Sequence, residues 1–334
     1  MAPDPLPMAE LHCHLEGTVK PALARTLAAR HGVDLTGIFD DHGNYRWRTF
    51  ADFIRVYDAM SEAVRTPEDY IDITRAYLEE GAAQGLRYSE LFVSPFHARR
   101  CGISYTTLID AIAEAIGDAR RRLGVHARLI ATCVRHLGTD HAEDIARLAE
   151  RHPHPLVVGF GMGGDENHGR PKDYARAYAI AHGAGLHVTA HAGELAGADS
   201  VRAAIDDLPI TRVGHGVRAH EDPALLPELA ARAITLELCP GSNLALGLFG
   251  SMREHPIKAY LDAGLIVTIS SDDPPFFHTD IRREYDHVAH VHGLSARDML
   301  DITRNAVRSA FCDDDLKKTL LADIDAWQKA APGV

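Results

Sequence analysis

The chain has 334 residues, of which 46% are hydrophobic, and its formal net charge at pH 7 is -12. This length suits one α/β barrel of roughly 250 residues with insertions, so we expect residues 1–334 to form one domain. The negative charge, with no cluster of Lys and Arg interleaved with aromatic residues, argues against a nucleic acid partner.

Cysteine content and hydropathy indicate where the protein works. Five cysteines are scattered without a CxxC pair, which argues against a disulfide framework and favours a reducing compartment. No apolar run reaches about 18 residues, and the N-terminal residues lack a basic stretch followed by an apolar one. We therefore expect a cytoplasmic protein with no membrane partner, while the sequence leaves the oligomeric state unknown.

Short apolar runs alternate with helical patterns along the chain. The predicted strands are 8–13, 86–94, 126–133, 156–160, 186–191, 210–215, 234–239 and 265–270. The predicted helices include 68–84, 104–123, 140–151, 171–184 and 222–232, several of which begin with a capping residue or a proline. Eight alternations of strand and helix predict a (β/α)8 TIM barrel. A doubly wound sheet is the competing layout.

Two regions exceed a minimal barrel. Residues 33–64, after strand 1, contain Phe50, Phe53 and Tyr57 at helical spacing, which predicts an apolar helical face above the strand ends. This insertion is either ordinary core packing or a helical lid that excludes water from a small ligand. The second region, residues 280–331, predicts two extra helices packed on the outside of the barrel.

Histidines and a carboxylate follow predicted strands that are remote in sequence. His12 and His14 lie at the end of strand 1, His191 ends strand 5, and Asp272 follows strand 8. These strand ends meet at one face of a barrel, and residues two apart in a strand point to the same side. Three imidazoles and one carboxylate, with one position open for water, suit a catalytic zinc ion. We predict one Zn²⁺ per chain, although other divalent ions also accept these ligands.

Three further polar residues follow strands 5, 6 and 8. Glu194 lies three residues beyond His191, where a carboxyl whose pKa is raised by burial could pass a proton between water and substrate. His215 could take a proton from the attacking water, and Asp273 could face the substrate while Asp272 faces the metal. The structural alternatives are a carboxylate at a helix start, a core histidine and a turn residue.

Five motifs occur in an order that resembles the adenosine deaminase family of the amidohydrolase barrels, over nearly the whole chain. They are His12-Cys13-His14-Leu15-Glu16-Gly17, Gly164-Asp165-Glu166, His191-Ala192-Gly193-Glu194, Gly214-His215-Gly216 and Ser271-Asp272-Asp273-Pro274. Several motifs in order are far more specific than any single one of them.

The resemblance implies a role for each residue. Zinc would be bound by His12, His14, His191 and Asp272. The implied catalytic residues are Glu194, which protonates purine N1 while hydroxide attacks C6, His215, which orients and deprotonates the water, and Asp273, which bonds N7. The backbone N–H of Gly164 would meet N3. The predicted substrate-binding residues are His14, Glu16, Gly164, Asp273, Phe50 and Phe53.

The family contains adenosine, adenine and aminodeoxyfutalosine deaminases. The Gly163-Gly164-Asp165-Glu166 loop and the aromatic insertion are similar to those of the nucleoside-acting members. Glu16 replaces the aspartate that usually meets the ribose 5′-hydroxyl. Phe92 stands where adenosine deaminases often have an arginine, and at this position the sequence resembles the adenine-type members. We expect conversion of adenosine or 2′-deoxyadenosine to inosine or 2′-deoxyinosine plus ammonia, with adenine deaminase or aminodeoxyfutalosine deaminase as the alternative.

Two other classes compete with this interpretation. Many related barrel hydrolases hold two metals bridged by a carboxylated lysine on strand 4, but residues 156–160 contain no lysine and the next one is Lys172. A non-catalytic metal-binding barrel would be expected to lose Glu194, His215 or a metal ligand. The chain retains all of them, which favours an enzyme with one metal.

Overall fold

The computed structural model describes residues 5–331, so residues 1–4 and 332–334 of the predicted domain lie outside the described residues. Within them, eight strands form one sheet in sequence order, each parallel to the next. The strands are β1 (Met8–His14), β2 (Leu86–Val93), β3 (His126–Val134), β4 (Val157–Gly163), β5 (His187–Ala192), β6 (Arg212–His215), β7 (Thr235–Leu238) and β8 (Ile266–Ile269). Each predicted strand overlaps an observed one, with ends that differ by at most three residues.

Backbone hydrogen bonds between β1 and the segment after β8 close the barrel. The His14 N–H donates to the Asp272 carbonyl at 3.0 Å, and the Asp272 N–H donates to the His12 carbonyl at 3.1 Å. The Ser270 hydroxyl oxygen also accepts the N–H groups of Leu11 and His12, each at 3.1 Å. An open sheet has no contact between its first and last strands, so the (β/α)8 barrel is confirmed and the doubly wound alternative is wrong.

Helices follow the strands on the outside of the barrel. Those of the described residues are α1 (Pro21–His31), α2 (Phe50–Ser61), α3 (Pro67–Gln84), α4 (Pro95–Arg100), α5 (Tyr105–Leu123), α6 (Thr139–Arg151), α7 (Ala175–Gly183), α8 (Ala198–Asp207), α9 (Leu225–Ala231), α10 (Pro240–Ala245), α11 (Ile257–Asp262), α12 (Ile281–His292), α13 (Ala296–Ser309) and α14 (Asp314–Ala330). In this part of the chain, none of them has the length and apolar character needed to cross a membrane.

Three helices, rather than the predicted two, follow β8. Gly293 ends α12 in the left-handed conformation, with φ 65°. Ser295 then begins α13 with a capping box, in which its side chain accepts the Asp298 N–H and the Asp298 carboxylate accepts the Ser295 N–H. The prediction of two helices was wrong because the glycine stop and the serine start are almost adjacent and leave no loop-like stretch between them.

The insertion after β1 contains the predicted aromatic helix, α2. Thr49 caps its first turn by accepting the Asp52 N–H. Phe53 packs against Phe277, with ring centroids 5.1 Å apart, and the Trp47 indole N–H donates to the Phe276 carbonyl at 3.1 Å. The helix is therefore anchored to the loop after β8 and lies over the carboxyl ends of the strands.

A buried ion cluster lies between β2, β6 and β7. The Arg212 guanidinium contacts Glu90 at 2.7 Å and Glu237 at 2.6 Å, and all three side chains are almost completely buried. The guanidinium carbon also lies 3.4 Å from the centroid of the Phe311 ring. Both carboxylates depend on this cation, because an unpaired charge in such a position is strongly unfavourable.

Replacing Arg212 by methionine should lower the free energy of unfolding by about 3–5 kcal/mol, since two buried carboxylates lose their cation. Urea unfolding followed by circular dichroism measures this change. The matched control is Arg99→Met, which breaks the exposed Arg99–Asp144 pair and should change stability by only about 0.5 kcal/mol. Equal unfolding midpoints for the two variants would show that the Arg212 cluster does not stabilise the barrel.

Candidate active site

A cavity of about 80 Å³ lies between α2 and the carboxyl ends of the strands. Its lining includes His14, Glu16, Phe50, Phe53, Ile54, Tyr57, Phe92, Gly164, His191, Glu194, His215, Asp272, Asp273 and Phe277. All six predicted substrate-binding residues are in this set. The helical insertion therefore does more than fill the core, because its aromatic residues form one wall of the cavity.

The four predicted metal ligands lie close together. The His12 Nε2 atom lies 3.0 Å from His191 Nε2 and 3.8 Å from Asp272 Oδ1, and His14 Nε2 lies 3.3 Å from Asp272 Oδ1. One ligand atom from each of the four lies within 4.8 Å of the others. This spacing fits one cation with ligand bonds of about 2.0–2.2 Å.

A second possible ligand set shares His12 and Asp272 with the first and adds His215 and Cys239. A cysteine binds metal as the thiolate. Burial, with the nearby carboxylates, raises the pKa of the Cys239 thiol well above its usual range. The set with His14 and His191 is therefore the better candidate.

The surroundings of the histidines suit a metal site. The Glu237 carboxylate lies 2.7 Å from His12 Nδ1, so an Nδ1–H donated to Glu237 leaves the Nε2 lone pair free to bind a metal. Burial and the neighbouring histidines lower the pKa of His191, which favours the neutral, metal-binding form. Burial alone would lower the pKa of His14, but Asp273 and Asp272 raise it to about 9. The cavity thus attracts positive charge.

Backbone strain is present at two site residues. His215 and Asp272 both have the left-handed conformation, with φ of 59° and 61°, which costs a residue other than glycine about 1–3 kcal/mol. Gly17 provides space at the same face, since a Cβ there would lie 1.7 Å from Asp273 Oδ1. The fold maintains these unfavourable conformations where the site needs them.

Glu194 and His215 form a neighbouring acid and base. The Glu194 Oε2 atom lies 3.6 Å from His215 Nε2, and both side chains are buried. Burial, followed by the charges of Asp272 and Glu166, raises the pKa of Glu194 well above its usual range. Burial lowers the pKa of His215 to about 3. These shifts favour a protonated carboxyl at Glu194 and an uncharged imidazole at His215, the combination that acid–base catalysis uses.

Asp273 also lines the cavity. Within the described part of the chain, its Oδ1 atom is buried and has no hydrogen bond partner. Burial and the adjacent Asp272 raise the pKa of the Asp273 carboxyl. Asp273 is thus free to bond a polar atom of a ligand.

Several residues around the site had no role predicted from the sequence. Glu237 supports His12, and the sequence offered a signal for it, since it is a charged residue between Leu236 and Leu238 in a predicted strand. Glu166 supports the loop of Glu194 and belongs to the Gly164-Asp165-Glu166 motif. His97 lines the cavity and contacts Asp58 of α2 at 3.0 Å, but no sequence pattern marked it.

Comparisons with known proteins agree with this geometry. The family model described as "Adenosine deaminase" matches residues 7–327. The chain belongs to the adenosine deaminase family. It is a deaminase-type hydrolase that acts on carbon–nitrogen bonds. The family prediction is confirmed.

The relatives of this deaminase include adenine deaminases. The "Adenine deaminase" of Rhizobium johnstonii is 48% identical, with 96% of this chain and 99% of the relative covered. That of Agrobacterium fabrum is 45% identical, with 94% and 96% covered. The crystal structure of adenine deaminase from Arthrobacter aurescens has a TM-score of 0.90, with 32% identity and 97% and 99% covered. These relatives fit the adenine alternative better than the expected adenosine activity.

One of the solved structures that resemble this chain contains a bound metal. An amidohydrolase from Burkholderia ambifaria, determined with bound Zn, has a TM-score of 0.87, with 28% identity, 97% of this chain covered and 92% of its own. The roles of the individual site residues in this deaminase remain predictions.

His191→Ala should lose zinc on dialysis, because only three of the four proposed ligands remain. Glu237→Gln keeps all four ligands but weakens the orientation of His12, so its zinc affinity should fall by about 10–100-fold. Competition with a chelator measures both. Glu62→Gln, at the exposed pair with Arg100, is the control and should bind zinc as the wild type does. Full zinc occupancy of dialysed His191→Ala would remove His191 from the ligand set.

Proposed function

We propose that this enzyme converts adenine and water to hypoxanthine and ammonia, with one zinc ion bound by His12, His14, His191 and Asp272. One observation carries the proposal. One cavity is lined by His14, His191 and Asp272 of this ligand set and also by Glu194, whose pKa is raised, and by His215, whose pKa is lowered. Hydrolysis of an aromatic amidine needs these groups together: an activated water, a proton donor for the ring and a proton acceptor.

Zinc supplies, when bound, a Lewis acid that activates water for attack. The choice of zinc is supported by the set of three imidazoles and one carboxylate. It is also supported by the Zn that is bound in the amidohydrolase from Burkholderia ambifaria.

Glu194 and His215 transfer the protons of the reaction. Glu194 donates a proton to N1 of the adenine ring, which makes C6 more electrophilic, and its raised pKa favours the protonated form that this step uses. His215 accepts a proton from the attacking water, a role that its uncharged form permits. The 6-amino group takes up the proton held by His215 and leaves as ammonia, the hydroxyl proton on C6 returns to Glu194, and the ring remains as hypoxanthine.

Other cavity residues orient the ring. Asp273, with an unpartnered buried oxygen, bonds N7. The Gly164 N–H bonds N3; the residue has φ 94°, and a Cβ there would lie 2.9 Å from His136 Nδ1, which favours glycine. Phe50 and Phe53 cover the ring and exclude water.

A free base is better supported as the substrate than a nucleoside. Adenine deaminases match nearly the whole chain at 43–48% identity. Glu16 is buried, and one of its oxygens accepts the Ser94 N–H at 3.2 Å. Phe92 packs on the rings of His12 and His14, with centroids 4.6 and 5.1 Å away. Glu16 and Phe92, the two residues that differ from the usual adenosine deaminase pattern, thus form part of the cavity wall.

Glu194→Gln should slow hypoxanthine formation from adenine by a factor on the order of 10² or more, because it removes the proton donor. Zinc content and the urea unfolding midpoint should not change, since the metal ligands remain. Ultraviolet-monitored deamination measures the rate, with Glu62→Gln as the exposed control. Normal turnover by Glu194→Gln would contradict its role as proton donor. Failure of the zinc-loaded wild type to convert adenine would contradict the proposed reaction.

A further inference from the structure

Glu166 is buried behind the loop that carries Glu194, and its carboxylate accepts five hydrogen bonds. The donors are the backbone N–H groups of Gly193, Glu194, Leu195 and Ala196 and the hydroxyl of Ser200. The five distances between donor and oxygen lie between 2.5 and 2.9 Å. The side chain has almost no solvent contact, being 2% exposed. Four of the five hydrogen bonds of this carboxylate therefore hold the loop of residues 193–196.

Only an acceptor without hydrogens suits this position. Four consecutive N–H groups point to one place, and α8 begins only at Ala198, so no helix satisfies them. An ionised carboxylate can accept from all five donors, whereas a glutamine would direct its NH₂ group at some of these N–H groups. The charge of Glu166, and not only its shape, thus matters for the loop.

The loop determines where the Glu194 carboxyl lies. Gly193 has φ 70°, so the chain turns sharply between the metal ligand His191 and Glu194. The Glu194 N–H is itself one of the donors to Glu166, at 2.9 Å. A movement of this turn would shift the Glu194 carboxyl relative to both His215 and the substrate.

We propose that Glu166 is a positioning residue for the deamination, which fixes the backbone of residues 193–196 and thereby the Glu194 carboxyl against the substrate ring. This inference rests on the proposed role of Glu194 as proton donor. Glu166 is not among the described residues that line the cavity, so it acts through Glu194. Its negative charge also contributes, after burial and Asp272, to the raised pKa of Glu194.

A double-mutant cycle separates this role from general structural support. Glu166→Gln should lower kcat for adenine by a factor on the order of 10², as a displaced catalytic group does, while KM and zinc content stay near wild-type values. In the Glu194→Gln background there is no proton donor left to position. There the same substitution should cost no more than about twofold, which is strong non-additivity.

Matched controls accompany the cycle. Asp165→Asn makes the same change of carboxylate to amide one residue away, and the asparagine oxygen can still accept the Asn167 N–H that Asp165 accepts at 3.0 Å. Ser200→Ala removes only one of the five donors. Both variants should retain kcat within about threefold of the wild type, since surface or single hydrogen bond changes have small effects.

The possible outcomes discriminate between the two proposals. If the losses caused by Glu166→Gln and Glu194→Gln multiply in the double variant, Glu166 acts independently of Glu194 and the inference is wrong. A rise in KM with kcat unchanged would also overturn it. If Glu166→Gln does not fold, Glu166→Asp, which keeps the charge and shortens its reach, goes through the same cycle with the same expected non-additivity. Full activity of Glu194→Gln alone would instead contradict the proposed function.

Discussion

The two backbone hydrogen bonds between β1 and the segment after β8 are the constraint on which the site depends. They join the His12 carbonyl and the His14 N–H to the same residue, Asp272. The closing of the barrel therefore also brings the proposed metal ligands together. His191 approaches from β5 across the barrel and completes the set only because the strands return to their starting point. Without these bonds the first strand would separate from the last, and His12 and His14 would separate from Asp272.

Two buried carboxylates hold the proposed metal-binding and catalytic residues in place. The negative charge of each is compensated by a different set of donors. Arg212 neutralises Glu237, and Glu237 orients His12. On another side of the cavity, backbone N–H groups compensate Glu166, which holds the loop of Glu194. Burying such charges is costly unless every partner is present. The base of the site is thus held by ion pairs and hydrogen bonds, whereas its cover, α2, is held mainly by aromatic contacts and by the contact between Asp58 and His97.

The strands and the metal-binding candidates could be predicted because each motif directly follows an apolar run, and strand ends of a barrel meet. Glu237 and Glu166 could not be given roles, because their partners lie on other elements and only the folded chain brings them together. The third C-terminal helix was missed for a local reason, the nearly adjacent stop at Gly293 and start at Ser295. The expected adenosine activity rested on the Gly164 loop and the lid, features that a free base can also use. That residues 1–334 form one domain remains a prediction.

The most direct test of the proposed function compares substrates on the zinc-loaded protein. Deamination of adenine, adenosine, 2′-deoxyadenosine and aminodeoxyfutalosine is followed by ultraviolet absorbance, and kcat/KM is measured for each. We predict that adenine has the highest kcat/KM, because adenine deaminases match nearly the whole chain at 43–48% identity. A higher kcat/KM for adenosine or another nucleoside than for adenine would contradict this.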